Sequence, residues 1–102
     1  MANILIIDDD VSFCRALEAV IAELDLSVEL AHTLADGLGK IRRGGCDVII
    51  LDVVLPDGNG LDAIAEIRQS PGLPEVIILT GSGDPDGAEL AIKSGAWDYI
   101  TK

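Results

Sequence analysis

Short aliphatic runs without polar alternation are the feature of this sequence that most constrains its fold. Residues 4–7, 48–51 and 76–79 each consist of four consecutive Ile, Leu or Val residues. Strands of this kind are buried on both faces, as in a parallel sheet that carries helices on both sides. The segments between the runs repeat their apolar residues with a helical period. The pattern therefore predicts βαβ units around one parallel sheet.

The predicted strands and helices alternate along the chain. We predict strands at residues 3–7, 27–31, 47–51, 75–79 and 97–100, and helices at residues 11–24, 60–69 and 88–94. Another helix follows the Thr33 cap, directs Leu34, Leu38 and Ile41 inward, and ends at Gly44 and Gly45. Turn-forming residues make 55–60 a loop beside Asp52, and 81–87 is predicted to be a flexible acidic loop. About five strands and four helices result, with one face of the sheet short of a helix.

The first predicted helix has Asp10 as its N-cap. Its inward face is expected to carry the apolar residues Phe13, Leu17, Val20, Ile21 and Leu24. The core is expected to be mainly aliphatic, because Phe13, Trp97 and Tyr99 are the aromatic residues of the chain. We interpret Trp97 as a structural residue. His32 lies at a strand end that we expect to be remote from the other polar residues and exposed to solvent.

Length and charge limit the class of protein. The 102 residues are enough for one domain with one core, and an apolar fraction of 49% argues against disorder. A net charge of -11 disfavours direct contact with nucleic acid or with an anionic membrane surface. We expect a chain with this charge to bind cations and basic partner surfaces instead.

The two cysteines and the N-terminal segment favour a cytoplasmic protein. Cys14 and Cys46 lack a metal-binding spacing and do not make a disulfide framework, so we interpret them as reduced packing residues. The first apolar run is too short for a signal peptide or a membrane span.

Polar residues that follow the predicted strands indicate a chemical site. They are Asp8, Asp9, Asp10, Asp52, Thr80 and Lys102. The carboxyl ends of parallel strands lie on one edge of a sheet, so these residues are expected to converge there. Clustered carboxylates repel one another and suit a hard cation such as Mg²⁺. Together with a lysine and a threonine hydroxyl they describe a phosphoryl-transfer site, in which Asp10 could equally be only a helix cap.

The sequence resembles the response-regulator receiver family of two-component signal transduction over essentially its whole length. The matching segments are 6–10 (IIDDD), 51–52 (LD), 55–61 (LPDGNGL), 80–81 (TG) and 95–102 (GAWDYITK). The resemblance implies a flavodoxin-like, doubly wound sheet of five parallel strands in the order 2-1-3-4-5. It also implies a phosphorylation-dependent switch that controls an output domain or a partner, commonly in transcription regulation or a phosphorelay.

Carried over by position, the resemblance assigns a role to each site residue. Asp52 would accept a phosphoryl group from a histidine kinase or from a small donor such as acetyl phosphate. Asp8, Asp9 and Asp52 would bind Mg²⁺ together with the backbone carbonyl of Val54. The hydroxyl of Thr80 and the ammonium of Lys102 would contact the phosphoryl group, and Tyr99 would be the switch aromatic that moves with Thr80. Such a domain catalyses only its own phosphorylation and dephosphorylation and is not an enzyme in the usual sense.

Family members usually continue from the lysine through a proline into a last helix. The expectation for residues 1–102 is therefore a receiver domain truncated at its carboxyl end and lacking the final helix. The open face could be covered by another chain, for example in a homodimer.

Two other functions are compatible with parts of this pattern. A Mg²⁺-dependent phosphatase of the haloacid dehalogenase type also phosphorylates a strand-end aspartate, but it needs a second acid two residues later, where this chain has Val54. A receiver-like interaction module without phosphorylation is the other, and the presence of Asp52, Thr80 and Lys102 argues against it.

Overall fold

Five parallel strands form the central sheet of the computed structural model, which describes residues 2–81 and 85–102. In chain order the strands of the molecule are β1 (Asn3–Ile7), β2 (Ser27–Ala31), β3 (Val48–Asp52), β4 (Val54–Leu55), β5 (Gly58–Asn59), β6 (Glu75–Thr80) and β7 (Asp98–Thr101). The sheet order is β2-β1-β3-β6-β7, and every neighbouring pair in it is parallel. Counting only these five long strands, this is the predicted order 2-1-3-4-5.

The helices lie on both faces of the sheet. They are α1 (Val11–Ala22), α2 (Leu34–Arg42), α3 (Ile64–Arg68), which follows a 3-10 turn at Gly60–Ala63, and α4 (Pro85–Lys93). Buried residues of α2, α3 and α4 pack with Leu5, Ile49 and Ile78 on one face. On the other face, α1 is the helix that packs against Ile6, Ile50 and Leu79 among the described residues. In the part of the chain that the structure describes, one face of the sheet is therefore short of a helix, as predicted.

The predicted caps of α1 and α2 are confirmed. The carboxylate of Asp10 accepts a hydrogen bond from the Phe13 amide, with an N···O distance of 3.0 Å. The Thr33 hydroxyl accepts one from the Asp36 amide at 3.1 Å. Gly44 and Gly45 follow α2 with φ angles of 82° and 93°, in the left-handed region that favours glycine, and so end the helix as predicted.

The inward face predicted for α1 was partly wrong. The helix ends at Ala22, two residues before the predicted end, and Asp25 turns the chain with a φ of 58°. Val20 and Leu24 are exposed, whereas Cys14 and Ile21 are buried. The apolar period located this helix but not the centre of its buried face, which lies over the row of Cys14 and Ile21.

Two predicted loops contain regular structure. The segment after Asp52 forms a small antiparallel hairpin in which Val54 pairs with Asn59 and Leu55 with Gly58. Residues 85–87, assigned to the acidic loop, belong to α4, which therefore starts before the predicted position 88. The rest of that loop, residues 82–84, lies outside the described residues. The helix predicted at 60–69 is instead the 3-10 turn followed by the five-residue helix α3.

Large apolar side chains are exposed in the edge strand β7 and directly before it. Trp97, predicted to be a structural residue, is 67% exposed, so that prediction was wrong for its side chain; its amide still donates to the Val76 carbonyl at 2.8 Å. Ile100 is 48% exposed. It is in register with Leu79 and therefore shares the sheet face that α1 covers. Among residues 2–81 and 85–102, no helix is both long and apolar enough to span a membrane.

Candidate phosphoryl-transfer site

Three carboxylates converge at the carboxyl edge of the sheet, as the strand-end pattern predicts. Asp8 and Asp9 follow β1, and Asp52 is the last residue of β3, which pairs with β1 in parallel. One carboxylate oxygen from each of these residues lies within 4.8 Å of the others. We call Asp8, Asp9, Asp52 and the lysine at position 102 the acidic pocket.

Asp8 is the most constrained residue of the acidic pocket. Its side chain is fully buried, its amide donates to the Ala31 carbonyl at 3.0 Å, and its Oδ1 accepts from the Asp10 amide at 3.0 Å. Its Oδ2 accepts no hydrogen bond of good geometry, although the Lys102 Nζ lies 2.6 Å away. A buried carboxylate oxygen left in this condition suits a cation that needs no directional bond, so the donor set fits a hard divalent ion.

Lys102 joins the carboxylates of two strands. Its Nζ lies 2.6 Å from Asp8 Oδ2 and 3.1 Å from Asp52 Oδ2, and its amide donates to the Thr80 carbonyl at 2.8 Å. The ammonium also lies 5.0 Å from the centroid of the Phe13 ring, a cation–π contact. Burial alone would lower the pKa of Lys102, but the two carboxylates outweigh it and raise that pKa. The lysine is therefore held as a cation against the pocket.

Asp52 is buried, and the charges of Lys102 and Asp8 act on its carboxylate in opposite directions. Burial raises the pKa of its carboxyl group, the hydrogen bond from Lys102 opposes that shift, and the charge of Asp8 adds to it. Its backbone is closely covered, because a Cβ atom at Gly60 would overlap the Asp52 carbonyl oxygen. Only glycine fits at position 60 without moving the strand end. The backbone of Asp52 thus has a fixed position, and added positive charge nearby would stabilise its carboxylate.

The other predicted site residues lie around the pocket at different depths. Thr80 is buried at the end of β6, next to β3 in the sheet, and is in register with Thr101. Val54 is two residues beyond Asp52, with a side chain that is 75% exposed. Tyr99 is 41% exposed on the edge strand β7 and is in register with Ile78. The structure brings Asp8, Asp9, Asp52 and Lys102 into one cluster and leaves Tyr99 on the rim of the sheet.

The sequence analysis misplaced His32. Far from being remote, its Nδ1 lies 2.9 Å from the Asp8 carbonyl oxygen, to which the Cys14 thiol also donates at 3.3 Å. Because β2 is the neighbour of β1, the residue after β2 lies beside the residue after β1, so the strand order could have predicted that His32 lies near Asp8, but not the hydrogen bond between them. Burial raises the pKa of Cys14 to about 11, and nearby carboxylates add to the shift, so this cysteine is a neutral thiol that packs beside the pocket.

Comparison with known proteins settles the family. The sequence matches the family described as "Response regulator receiver domain" over residues 4–102. The chain belongs to this family. It is 37% identical over 100 residues to the acid tolerance regulatory protein ActR of Rhizobium meliloti, a match that covers 98% of this chain and 52% of that protein. The chain thus spans about half the length of this curated relative.

Solved structures of receiver domains have the same fold. The beryllofluoride-activated NtrC4 receiver domain dimer is 36% identical, with a TM-score of 0.91 over 100% of this chain and 84% of that one. A response regulator from Burkholderia pseudomallei, solved with a phosphorylated aspartic acid, a calcium ion and citrate, is 27% identical, with a TM-score of 0.90 over 100% of this chain and 60% of that one. The flavodoxin-like receiver fold is therefore confirmed, and the relatives of this chain include two-component response regulators.

Proposed function

We propose that Asp52 is the phosphoacceptor of this receiver domain and that the acidic pocket is its phosphorylation site. The observation that supports this most directly is the clustering of three carboxylates within 4.8 Å at one sheet edge, two of them in contact with the Lys102 ammonium. Asp52 is the member of that cluster carried by the central strand β3. The phosphorylated aspartic acid of the Burkholderia relative is in keeping with this assignment.

The same pocket is proposed to hold Mg²⁺. Asp8, Asp9 and Asp52 would supply carboxylate oxygens, and the backbone carbonyl of Val54 would supply a fourth ligand. Three carboxylates whose oxygens lie within 4.8 Å of one another, with one ammonium against them, are the observation that favours a divalent cation here. A bound Mg²⁺ would neutralise charge on the phosphoryl oxygens and help to orient them.

The chemistry proposed for Asp52 is a single phosphoryl transfer. A carboxylate oxygen of Asp52 attacks phosphorus, the new O–P bond forms as the P–N bond of a phosphohistidine breaks, and the electron pair leaves with the imidazole nitrogen. With acetyl phosphate the P–O bond breaks instead and acetate leaves. The Lys102 ammonium would follow the transferred group, and the Thr80 hydroxyl would donate to one of its oxygens. The domain would promote only its own phosphorylation and the later loss of that group.

The signal would leave the site through Thr80 and β7. Movement of Thr80 toward the phosphoryl group would draw Tyr99 inward, away from its partly exposed position on the edge strand.

The partner that supplies the phosphoryl group is proposed to be a histidine kinase in the cytoplasm. We further propose that two copies of the chain associate through the side of the molecule that carries α1, where the side chains of Val20 and Ile100 are exposed.

Radiolabelled acetyl phosphate with Mg²⁺ tests this function. The native chain is expected to retain one phosphoryl group, and Asp52→Asn is expected to retain none, because an amide is not a nucleophile of this kind. A beryllofluoride complex that forms with the native chain and not with Asp52→Asn would support the same assignment. Rapid turnover of acetyl phosphate without an accumulated phosphorylated chain would instead indicate a phosphatase, and a native chain that is neither labelled nor releases phosphate would indicate an interaction module.

A further inference from the structure

Helix α2 has part of its N-terminal cap supplied by a different segment of the chain. The Asp57 carboxylate accepts hydrogen bonds from the amides of Leu34 and Ala35, at 2.8 Å to Oδ1 and 2.9 Å to Oδ2. These are the first two residues of the helix, whose amides have no partner within it. The two amide donors lower the pKa of Asp57, whose side chain is exposed to solvent. The helix start therefore holds the tip of the β4–β5 hairpin.

The hairpin connects that tip to the acidic pocket. Its strands pair from Val54 to Asn59, and Leu55 is buried against the core. At its base, the Gly60 amide donates to the Val53 carbonyl at 2.7 Å, directly beyond Asp52. At its tip, a Cβ atom on Gly58 would lie 3.0 Å from a methyl carbon of Leu34, so the hairpin also packs closely on α2. Val54 is therefore carried by a short unit that is fixed at both ends.

The turn before α2 reaches the other side of the pocket. The Ala31 carbonyl accepts a hydrogen bond from the Asp8 amide at 3.0 Å. The His32 Nδ1 lies 2.9 Å from the Asp8 carbonyl oxygen, and because that oxygen can only accept, the nitrogen is the donor. Residues 31–35 thus contact the backbone of Asp8 at one end and the carboxylate of Asp57 at the other.

We propose that Asp57 is a positioning residue for the metal site. Its two hydrogen bonds lock the β4–β5 hairpin against the turn that holds Asp8, and so set the position of the Val54 carbonyl relative to the Asp8 carboxylate. This inference rests on the proposed function, because it takes both groups as Mg²⁺ ligands. Asp57 itself does not touch the ion and acts through the segments that carry the ligands.

Mg²⁺ titration calorimetry on the native chain, Asp57→Ala and Asp57→Asn tests the proposal. We expect Asp57→Ala to weaken Mg²⁺ binding by roughly three- to tenfold, at or below the low end of the loss typical for residues that orient metal ligands. Asp57→Asn should bind Mg²⁺ with an affinity between those of the native chain and Asp57→Ala, because its one amide oxygen can still accept from one of the two α2 amides. Asp62→Ala, which removes another exposed acid just beyond the hairpin, is the matched control and should leave the affinity unchanged.

The variants separate a positioning role from two simpler ones. If Asp57 only caps the helix, Asp57→Ala will lower the denaturation midpoint and leave Mg²⁺ affinity at the native value. If it acts only through its charge, Asp57→Asn and Asp62→Ala will weaken binding as much as Asp57→Ala does. Either result overturns the proposal. A native chain that binds no Mg²⁺ at millimolar concentration would instead reject the proposed metal site itself, and the inference with it.

A second pair of variants removes a donor instead of the acceptor. Leu34→Pro deletes the amide that bonds Asp57 Oδ1, at the first helical position, where proline is tolerated. Leu34→Ala removes the same side chain and keeps the amide. We expect Leu34→Pro to bind Mg²⁺ several-fold more weakly than Leu34→Ala, and equal affinities would contradict the proposal.

Discussion

Asp52 and Asp57 are the same residue type in two contrasting regions of one loop. Asp52 lies in the buried acidic pocket, where burial and the charge of Asp8 raise the pKa of its carboxyl group. Asp57 lies at the exposed hairpin tip, where two amide hydrogen bonds lower its pKa. The pocket holds a carboxylate whose negative charge lowers stability until a divalent cation binds beside it. The tip holds a carboxylate that contributes to stability as it stands, so one loop combines an unfavourable buried charge with a favourable exposed one.

The largest expected effect concerns the cation of the pocket. Lys102→Ala should lower the free energy of unfolding by about 2 to 4 kcal/mol without metal, because removing one partner of a buried ion pair leaves the other charge uncompensated. Urea denaturation in the presence of a chelator measures this. Lys93→Ala, which removes an exposed pair with Glu89, is the control and should cost less than about 0.5 kcal/mol. Equal losses of unfolding free energy for the two variants would show that the charge of Lys102 does not stabilise the carboxylates of the pocket.

An intermediate effect separates the two aspartates directly. Asp52→Asn should raise the free energy of unfolding at neutral pH by on the order of 1 kcal/mol, a typical size for one substitution, because it removes a charge that is unfavourable where it lies. Asp57→Asn should change stability in the opposite direction, because it weakens the cap of α2. Chemical denaturation of both variants without metal is the measurement. If both variants move stability in the same direction, the contrast between the two regions is wrong.

The smallest expected effect is in the pH dependence. The pKa of Asp52 in the folded state is raised above its ordinary value of 3.8, so the folded state binds the proton more tightly than the unfolded state does. The contribution of Asp52 to stability therefore falls as pH rises from 3.8 to the raised pKa. The folded pKa of Asp57 is lowered, so its contribution is present above 3.8 and is lost as pH falls through the folded pKa. Stability differences between the native chain and each Asn variant, measured across acidic pH, should therefore have slopes of opposite sign. Parallel slopes would contradict both assignments.

The local sequence pattern was sufficient to predict which strand-end residues come together at the site. The aliphatic runs located β1 and β3, and their parallel pairing brought Asp8, Asp9 and Asp52 to one edge. Lys102 and Thr80 could be placed there because each follows or ends a neighbouring strand. These predictions depend on strand order and strand ends, which an apolar pattern and a family resemblance can provide.

The contacts that support the site could not be predicted in the same way. The bonds from Leu34 and Ala35 to Asp57 join a helix start to a hairpin that the sequence suggested was only a loop. The His32 contact depends on the direction of the turn after β2, which the residue types do not determine. Val20 and Leu24 fit an apolar helical period and are still exposed, because a period gives the spacing of a face and not which neighbour covers it. Tertiary packing decides all three.

The position of Lys102 has a consequence for ion binding. Its ammonium contacts one oxygen of Asp8 and one of Asp52 at the same time, so a divalent ion that takes those oxygens must first displace it. The affinity for the divalent ion is then set by the free energy of binding the ion minus the free energy that is lost when the ammonium leaves the same oxygens. A phosphoryl group would reverse this antagonism, because it offers the released lysine a new anionic partner while the ion stays in place.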